Sequence, residues 1–310
     1  MRILSGAEVA SLVGVADLIA PIAAAMVAVS AGQVEMPLRS MVKLPGQNHM
    51  GIMAGHLGTP AGHGVKVLSP FPDNPQFGRS SHSGLFLLFD GTTGLPVACM
   101  DAAATAAASR VLARPGSAVL AILGLGEQAH SHIAAMRAVH SITRIIAWGR
   151  DPAKLAAFAE ANGTEIAASA ADAVGQADII VTATPARTPF LSAGMLRPGQ
   201  HVNAVGASAA FMQELAADIV PATRFVTDYR PSLEPQAAEV IAARRDGLIA
   251  PDHDIPEIGE VIAGTRPGRR GDDDITVYRS LGVAAQDLAA AHFILARAVE
   301  REVGTAVAMG

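Results

Sequence analysis

Apolar residues recur at helical spacing from Ala7 to Ala31, and alanine, leucine and methionine fill the intervals, which predicts one helix there. Beyond it the helical period is lost. Short Gly-, Pro- and His-rich stretches (MPLRSMVKLPG, HMGIMAGHLG, GHGVKVLSPFPDNP) lead into GLFLLFDGTTGLPVACMD. In that last stretch Leu85–Asp90 and Leu95–Met100 read as strands around a Gly91–Gly94 turn, a hairpin signal. The first hundred residues therefore predict an α+β region with antiparallel pairs.

A different alternation begins at Ala102–Ala113, an alanine-rich helical stretch that ends at Arg114-Pro115-Gly116. Ala118–Leu123 reads as a buried strand, Gln128–Val139 as a helix, Arg144–Trp148 as a strand and Pro152–Ala161 as a helix. Further apolar strands follow at Ile179–Thr182, Gln200–Val205 and Arg224–Thr227. Strands separated by helices of this length imply βαβ crossovers and a parallel sheet, so the predicted class is α/β, a Rossmann-type sheet beside an α+β region. The last predicted helix, Val283–Val299, is long enough to leave the sheet and pack elsewhere. The one charge run, GRRGDDD at 268–274, reads as a solvated loop.

At about 100–200 residues per domain, 310 residues make two domains the expectation. Half the chain is apolar and 16% is charged, which excludes a disordered protein. A net charge of −5 offers no concentrated basic face for nucleic acid. The one cysteine, Cys99, has no partner for an internal disulfide. Glu8, Asp17 and Pro21 interrupt the apolar N-terminal stretch, which reads as neither signal peptide nor membrane span. A soluble, cytoplasmic protein is the default expectation.

The sharpest chemical signal is AVLAILGLGEQAHSHIAAM. A strand runs directly into Gly124-x-Gly126-x-x-Ala129 and then into a helix. In a dinucleotide-binding turn the first glycine permits the bend and the second lets backbone approach a pyrophosphate. The third position needs a small residue, and alanine suffices. The helix start, with Glu127 and Gln128, offers free N–H groups to phosphate. At the end of the next strand an acid would favour NAD, and an arginine NADP. Here Trp148-Gly149-Arg150 ends it, so NADP(H) is favoured and NAD(H) remains open, since Asp151 could serve a ribose hydroxyl. Thr182, Ala183, Thr184 and Val205 at later strand ends, with Ser280 and Gly282 in YRSLG, complete the candidate nucleotide contacts.

The chain resembles the ornithine cyclodeaminase/mu-crystallin family in MPLRS, GVKVLSPFPDN, SSHSGLFLLFDGTTGLPVACMD, GLGEQA, NAVGAS followed by EL, EIGEVIAG and TVYRSLG. These stretches keep their order over nearly the full length. The resemblance implies a homodimer in which residues 1–113 with 283–310 bind substrate and dimerise, while 114–282 bind the dinucleotide. It also implies chemistry at the α-carbon of a small α-amino or α-imino acid. Arg39 and Lys66 match the family's substrate site. An Arg fork suits a carboxylate, and a lysine beside an imine can donate a hydrogen bond or relay a proton. The bland alternatives are a surface ion pair for Arg39 and a lysine snorkelling off a strand edge for Lys66. Met53, His82 and Ser208 are the expected substrate-lining residues.

Two departures shape the functional expectation. Where the cyclodeaminase branch carries a carboxylate base, this chain has Ser208 in Gly206-Ala207-Ser208, and a serine hydroxyl is no base without a partner. Asp228, in FVTDYRP, reads as a turn or cap former rather than a substitute. The family's Thr-x-x-Arg-Thr stretch, whose arginine also grips the carboxylate, is absent: Met100-Asp101 runs straight into AAATAAASR, and Arg110 does not take its place. His49, His56, His63 and His82 form no metal-ligand spacing, so no metal is expected. The leading expectation is an NAD(P)H-dependent reductase of a cyclic ketimine or open-chain imine, reversible as an amino-acid dehydrogenase. The alternatives are an ornithine-type cyclodeaminase using NAD catalytically, and a cofactor-dependent binding protein with little turnover.

Overall fold

The computed structural model describes residues 1–101 and 108–308, without the side chains of Pro75, His82 and Asp101. The chain forms two compact units, Met1–Ala104 with Val283–Gly310, and Thr105–Gly282. Of the alanine-rich stretch, 102–107 lies outside the described residues, and Ser109–Leu112 is helical.

In the first unit, strands β1 (Arg2–Leu4), β2 (Val34–Glu35), β3 (Ser40–Lys43), β4 (His49–Leu57), β5 (Gly62–Pro70), β6 (His82–Asp90) and β7 (Pro96–Asp101) join a short strand at Thr305–Ala306 in one sheet. β4, β5, β6 and β7 pair antiparallel in sequence order, and β1 runs parallel to β7. The expected hairpin is β6–β7. Asp90 holds its turn, accepting from the Thr92 and Thr93 N–H groups at 3.1 and 2.7 Å, and Gly94 supplies the positive φ of +70°.

The single N-terminal helix expected over Ala7–Ala31 is two helices, α1 (Gly6–Leu12) and α2 (Val15–Ser30), bent by 89°. Val13 is extended, and the Gly14 N–H donates to Asp17 at 2.8 Å, so α2 starts afresh on its own cap. Apolar spacing alone did not register that restart. Among the described residues no single helix is long and apolar enough to cross a membrane.

The C-terminal helix, Ala284–Glu300, lies against α2 and across β4, β5 and β6. Glycines in the sheet let it come close. Gly55 on β4 faces Gly64 on β5, and a Cβ at Gly55 would stand 3.2 Å from both Ala284 Cβ and Leu288 Cδ1. A Cβ at Gly62 would stand 2.3 Å from His292 Nε2. Alternation along a strand puts Met53, Gly55 and Leu57 on one face with their partners Lys66, Gly64 and Gly62. The same face therefore carries both the glycine lane and Lys66.

The second unit is a seven-stranded parallel sheet of β8 (Val119–Leu123), β9 (Arg144–Trp148), β10 (Glu165–Ile166), β11 (Ile179–Thr182), β12 (His201–Ala204), β13 (Arg224–Thr227) and β14 (Thr276–Arg279). Their order is β10-β9-β8-β11-β12-β14-β13. Helices Glu127–Val139, Pro152–Asn162 and Ala170–Gln176 lie between successive strands. Because the order reverses between β8 and β11, a crevice opens at their carboxyl ends, the place where doubly wound sheets take ligands.

The run at 268–274 is not merely a solvated loop. The Arg269 guanidinium donates to the Leu112, Gly199, Gln200 and Asp274 carbonyls and to Thr276 Oγ1. One arginine satisfies several backbone acceptors at the amino end of the sheet, a role that a charge count cannot reveal.

Candidate functional site

All the candidate nucleotide residues fall at the carboxyl edge of the parallel sheet, on or just after β8, β9, β11, β12 and β14. Gly124 follows β8 with φ +127°, a conformation that disfavours any side chain. A Cβ there would lie 2.3 Å from the Ala183 carbonyl oxygen. Gly126 is exposed, caps the helix Glu127–Val139 without a side-chain hydrogen bond, and has nothing within 4 Å of an added Cβ. The exposed Glu127 and Gln128 open the first helical turn, where the Ala129 N–H donates to the Gly126 carbonyl at 2.9 Å. Ala129 is fully buried between helix and sheet. An open glycine at the positive end of a helix fits the pyrophosphate of a dinucleotide.

At the end of β9, Trp148 is partly buried, with its ring centroid 5.9 Å from that of Phe190. Gly149 lies against Leu125, and Arg150 is exposed. Asp151 caps the next helix, accepting from the Ala153 and Lys154 N–H groups at 3.0 and 3.1 Å. That oxygen is committed to the backbone, which weakens the case for Asp151 as a ribose ligand.

Sequence reading missed the carboxylate that joins the ends of β11 and β12. Glu214 is buried and accepts five hydrogen bonds. Its donors are Thr182 Oγ1, Thr184 N and Oγ1, Gly206 N and Ala207 N, at 2.7–3.2 Å. Burial pushes its pKa up, while the Thr184 hydrogen bonds pull the other way. The hydroxyl protons of Thr182 and Thr184, with the Thr184 N–H, are thus directed to Glu214, and the Ala183 N–H donates to the Leu123 carbonyl. Gly206 is required here, since a Cβ would meet Thr184 N at 2.1 Å.

The fully buried Arg279 grips the same loop from the other side. It donates to the Ala207 and Ala204 carbonyls and pairs with Glu239 at 2.5 Å. Val205 and Ser208, both half-buried, thus flank a segment held by an anion at its N–H groups and a cation at its carbonyls. Asp228 is fully buried, and besides the backbone of its own turn at Tyr229 it anchors a distant segment. It accepts from the Leu281 and Gly282 N–H groups, each at 2.7 Å, and burial raises its pKa. Its hold fixes Gly282, at φ +82°, while the neighbouring Ser280 N–H donates to Ala204.

In the first unit Met53 and Lys66 are direct cross-strand partners, and Phe86 lies opposite Lys66 on the other side. Met53 and Phe86 are buried. The Lys66 ammonium meets Asp287 of the C-terminal helix at 2.8 Å, with side chains only 15% and 11% exposed. Snorkelling off a strand edge is therefore not what Lys66 does. Arg39 is half-buried and directly precedes β3, whose Ser40 pairs with Ile52 beside Met53. His82 opens β6 opposite Pro70, about 13 Å of strand from Lys66, and its side chain lies outside the described ones. Asp287 had no local signal: it sits 221 residues from Lys66.

One buried histidine occupies the opposite edge of the parallel sheet. His201, at the amino end of β12, lies 2.9 Å from Thr276 Oγ1 and 3.2 Å from Asn203 Oδ1. Burial, reinforced by the Arg269 charge, drives its pKa down to about 3. Among the described residues no group of three or more His, Cys, Asp or Glu side chains could hold a metal ion.

The reversed strand order, the glycine turn and the open helix start define a protein with a Rossmann-type dinucleotide-binding fold, joined to a predominantly antiparallel α+β unit. The chain belongs to the ornithine cyclodeaminase/mu-crystallin family, whose sequence profile matches residues 1–302. It is 32% identical to a Delta(1)-pyrroline-2-carboxylate reductase of Bacillus cereus, over 98% of each chain. The Thermococcus litoralis Delta(1)-pyrroline-2-carboxylate reductase, solved with NADH and L-proline, superposes with TM-score 0.93 at 28% identity, covering 99% of this chain and 100% of that one. An archaeal alanine dehydrogenase dimer with bound NAD superposes with TM-score 0.90 at 29% identity, covering 100% and 99%.

Proposed function

We propose that this protein is an NAD(P)H-dependent reductase of a small α-imino acid, cyclic or open-chain, reversible as an amino-acid dehydrogenase. The observation that carries the choice within the family is Ser208. No carboxylate stands at the position where a cyclodeaminase needs its base. The buried acids on the same edge of the sheet offer no substitute. Glu214 is occupied by five donors, and Asp228 holds the Leu281–Gly282 backbone.

The second unit binds the dinucleotide in this reading, through the turn at Gly124–Ala129 and the strand ends at Trp148–Arg150, Thr182–Thr184, Val205 and Ser280–Gly282. Its reduced nicotinamide supplies hydride to the imine carbon. NADPH is preferred, because Arg150 is exposed at the end of β9 and Asp151 is engaged in capping. The first unit supplies the substrate residues. Arg39 takes the carboxylate in a bidentate grip, and Lys66 keeps a proton on Nζ to donate to the carboxylate or the imine nitrogen. Met53 and His82 are the substrate-lining residues of this unit. The likeness to a dimeric alanine dehydrogenase supports a homodimer, which light scattering tests.

A panel of pyrroline- and piperideine-2-carboxylate and of imines of pyruvate and oxaloacetate, followed by NADPH consumption, tests the reading. Turnover of at least one imine is the expected result. Ammonia release from ornithine without net NADH formation would overturn it in favour of a cyclodeaminase. The absent Thr-x-x-Arg-Thr stretch favours a second reading, a binding protein, which predicts tight NADPH binding with no consumption on any imine.

A further inference from the structure

We infer that Asp287 is the positioning residue of Lys66: its carboxylate fixes where the Nζ ammonium points. The inference rests on the substrate role proposed for Lys66 and adds a residue to it.

The geometry is specific. Nζ to Oδ1 is 2.8 Å, a charge-assisted contact, and both side chains are nearly enclosed. β5 brings the lysine to this face, and Gly55 and Gly62 let the C-terminal helix come down onto it. From β4 the facing partner is Met53, and from β6 it is Phe86, neither of which can accept a proton from Nζ. The other titratable group of the helix over this face is His292, which stands at Gly62, four residues along β5, and is held toward its neutral form by burial. Asp287 is therefore the one anion among the described residues that the ammonium meets.

With Asp287 in place, two of the three ammonium protons remain to face a substrate carboxylate or imine nitrogen. Removing the carboxylate thus predicts a particular change rather than a general loss: the ammonium is no longer aimed, and turnover falls while cofactor binding does not.

The test compares wild type with Asp287→Asn, Asp287→Glu and Lys66→Met, with NADPH affinity and melting temperature measured on each. In Asp287→Asn kcat on the imino acid falls roughly tenfold, more than KM rises, because the ammonium is no longer aimed. NADPH affinity is unchanged, and Asp287→Glu restores most of the wild-type kcat. A second readout needs no turnover. The rate of Lys66 acetylation at one pH in the free protein, followed by peptide mass spectrometry, rises when the carboxylate is removed. Unchanged kcat and labelling rate in a folded Asp287→Asn protein would overturn the inference while leaving Lys66 in its role. Wild-type kcat/KM in Lys66→Met would instead overturn the role of Lys66 itself, and this inference with it.

Discussion

In the function proposed above, the parallel unit meets its ligand with backbone, while the antiparallel unit meets its own with side-chain charge. Gly124, Gly126 and Gly206 stand where a Cβ would either strike neighbouring backbone or close an open cradle. The polar side chains around them, Glu214, Arg279 and Asp228, hold loops and are themselves buried. In the antiparallel unit Lys66 and Asp287 meet through an ammonium and a carboxylate, and the nearby Gly55 and Gly62 let a helix approach. A common dinucleotide can be read by peptide groups, whose positions a turn motif dictates. A small acid has to be read by charges delivered from distant parts of the chain.

The strongest way to break this comparison is to give the glycine turn a side chain. Gly124→Ala places a methyl group 2.3 Å from the Ala183 carbonyl at φ +127°. Strain of about 1–3 kcal/mol adds to overpacking of about 1–3 kcal/mol, a loss of roughly 2–6 kcal/mol in all. Urea unfolding should show that loss, and nucleotide binding should fall at least in proportion. An unaffected variant would mean that backbone approach does not organise this edge.

Acid should separate the two units next. His201 has its folded pKa lowered to about 3 from the ordinary 6.5. Its contribution is complete above 6.5 and is lost as pH falls toward the folded value, at about 1.4 kcal/mol per pH unit. The parallel unit, followed by the one tryptophan, Trp148, should therefore lose stability steeply through this window. His201→Gln should flatten the slope by one proton. An unchanged slope would place the acid sensitivity elsewhere.

The same contrast explains what could be read in advance. Gly124-x-Gly126-x-x-Ala129 carries its own context, a strand before and a helix after, so the parallel sheet and its ligand edge were legible. β14 was not. Its four residues, Thr276–Arg279, follow the charged run at 268–274 and enter the sheet between β12 and β13, out of sequence order. Lys66 was legible as a charge inside an apolar strand, but its partner was not, because pairing 221 residues apart is a product of topology. Glu214 sat in plain view in the EL of a quoted motif. Nothing local said that five donors would converge on it.

Glu214 offers a test of intermediate size. Glu214→Gln keeps the shape but turns one acceptor into a donor, leaving N–H groups of Gly206 and Ala207, or of Thr184, without a partner. Each unsatisfied buried group costs about 1–3 kcal/mol, so roughly 2–4 kcal/mol is expected for a pair. Chemical denaturation measures the loss. NADPH affinity should drop too, because both strand ends are released. Destabilisation without any loss of affinity would show that Glu214 serves the fold and not the ligand edge.

The smallest effect sharpens the comparison most, because it asks whether any side chain of the parallel unit reads the nucleotide. Arg150 is exposed just past β9, and its neighbour Asp151 is occupied in capping the next helix. The 2′-phosphate of NADPH carries about −1.5 to −2 charge near neutral pH. A guanidinium that meets it gains about 1.5–3 kcal/mol, roughly ten- to a hundredfold in affinity. With NADH the same arginine stays solvated at little cost, so discrimination is partial and shrinks as salt screens the exposed charge. Arg150→Ala should therefore weaken NADPH binding by about tenfold or more at low salt and leave NADH binding unchanged. Fluorescence titration of both nucleotides at two ionic strengths reads this directly. If the wild type instead binds NADH more tightly, and the substitution alters neither affinity, then backbone alone reads the nucleotide at this edge and the preference for NADPH is wrong.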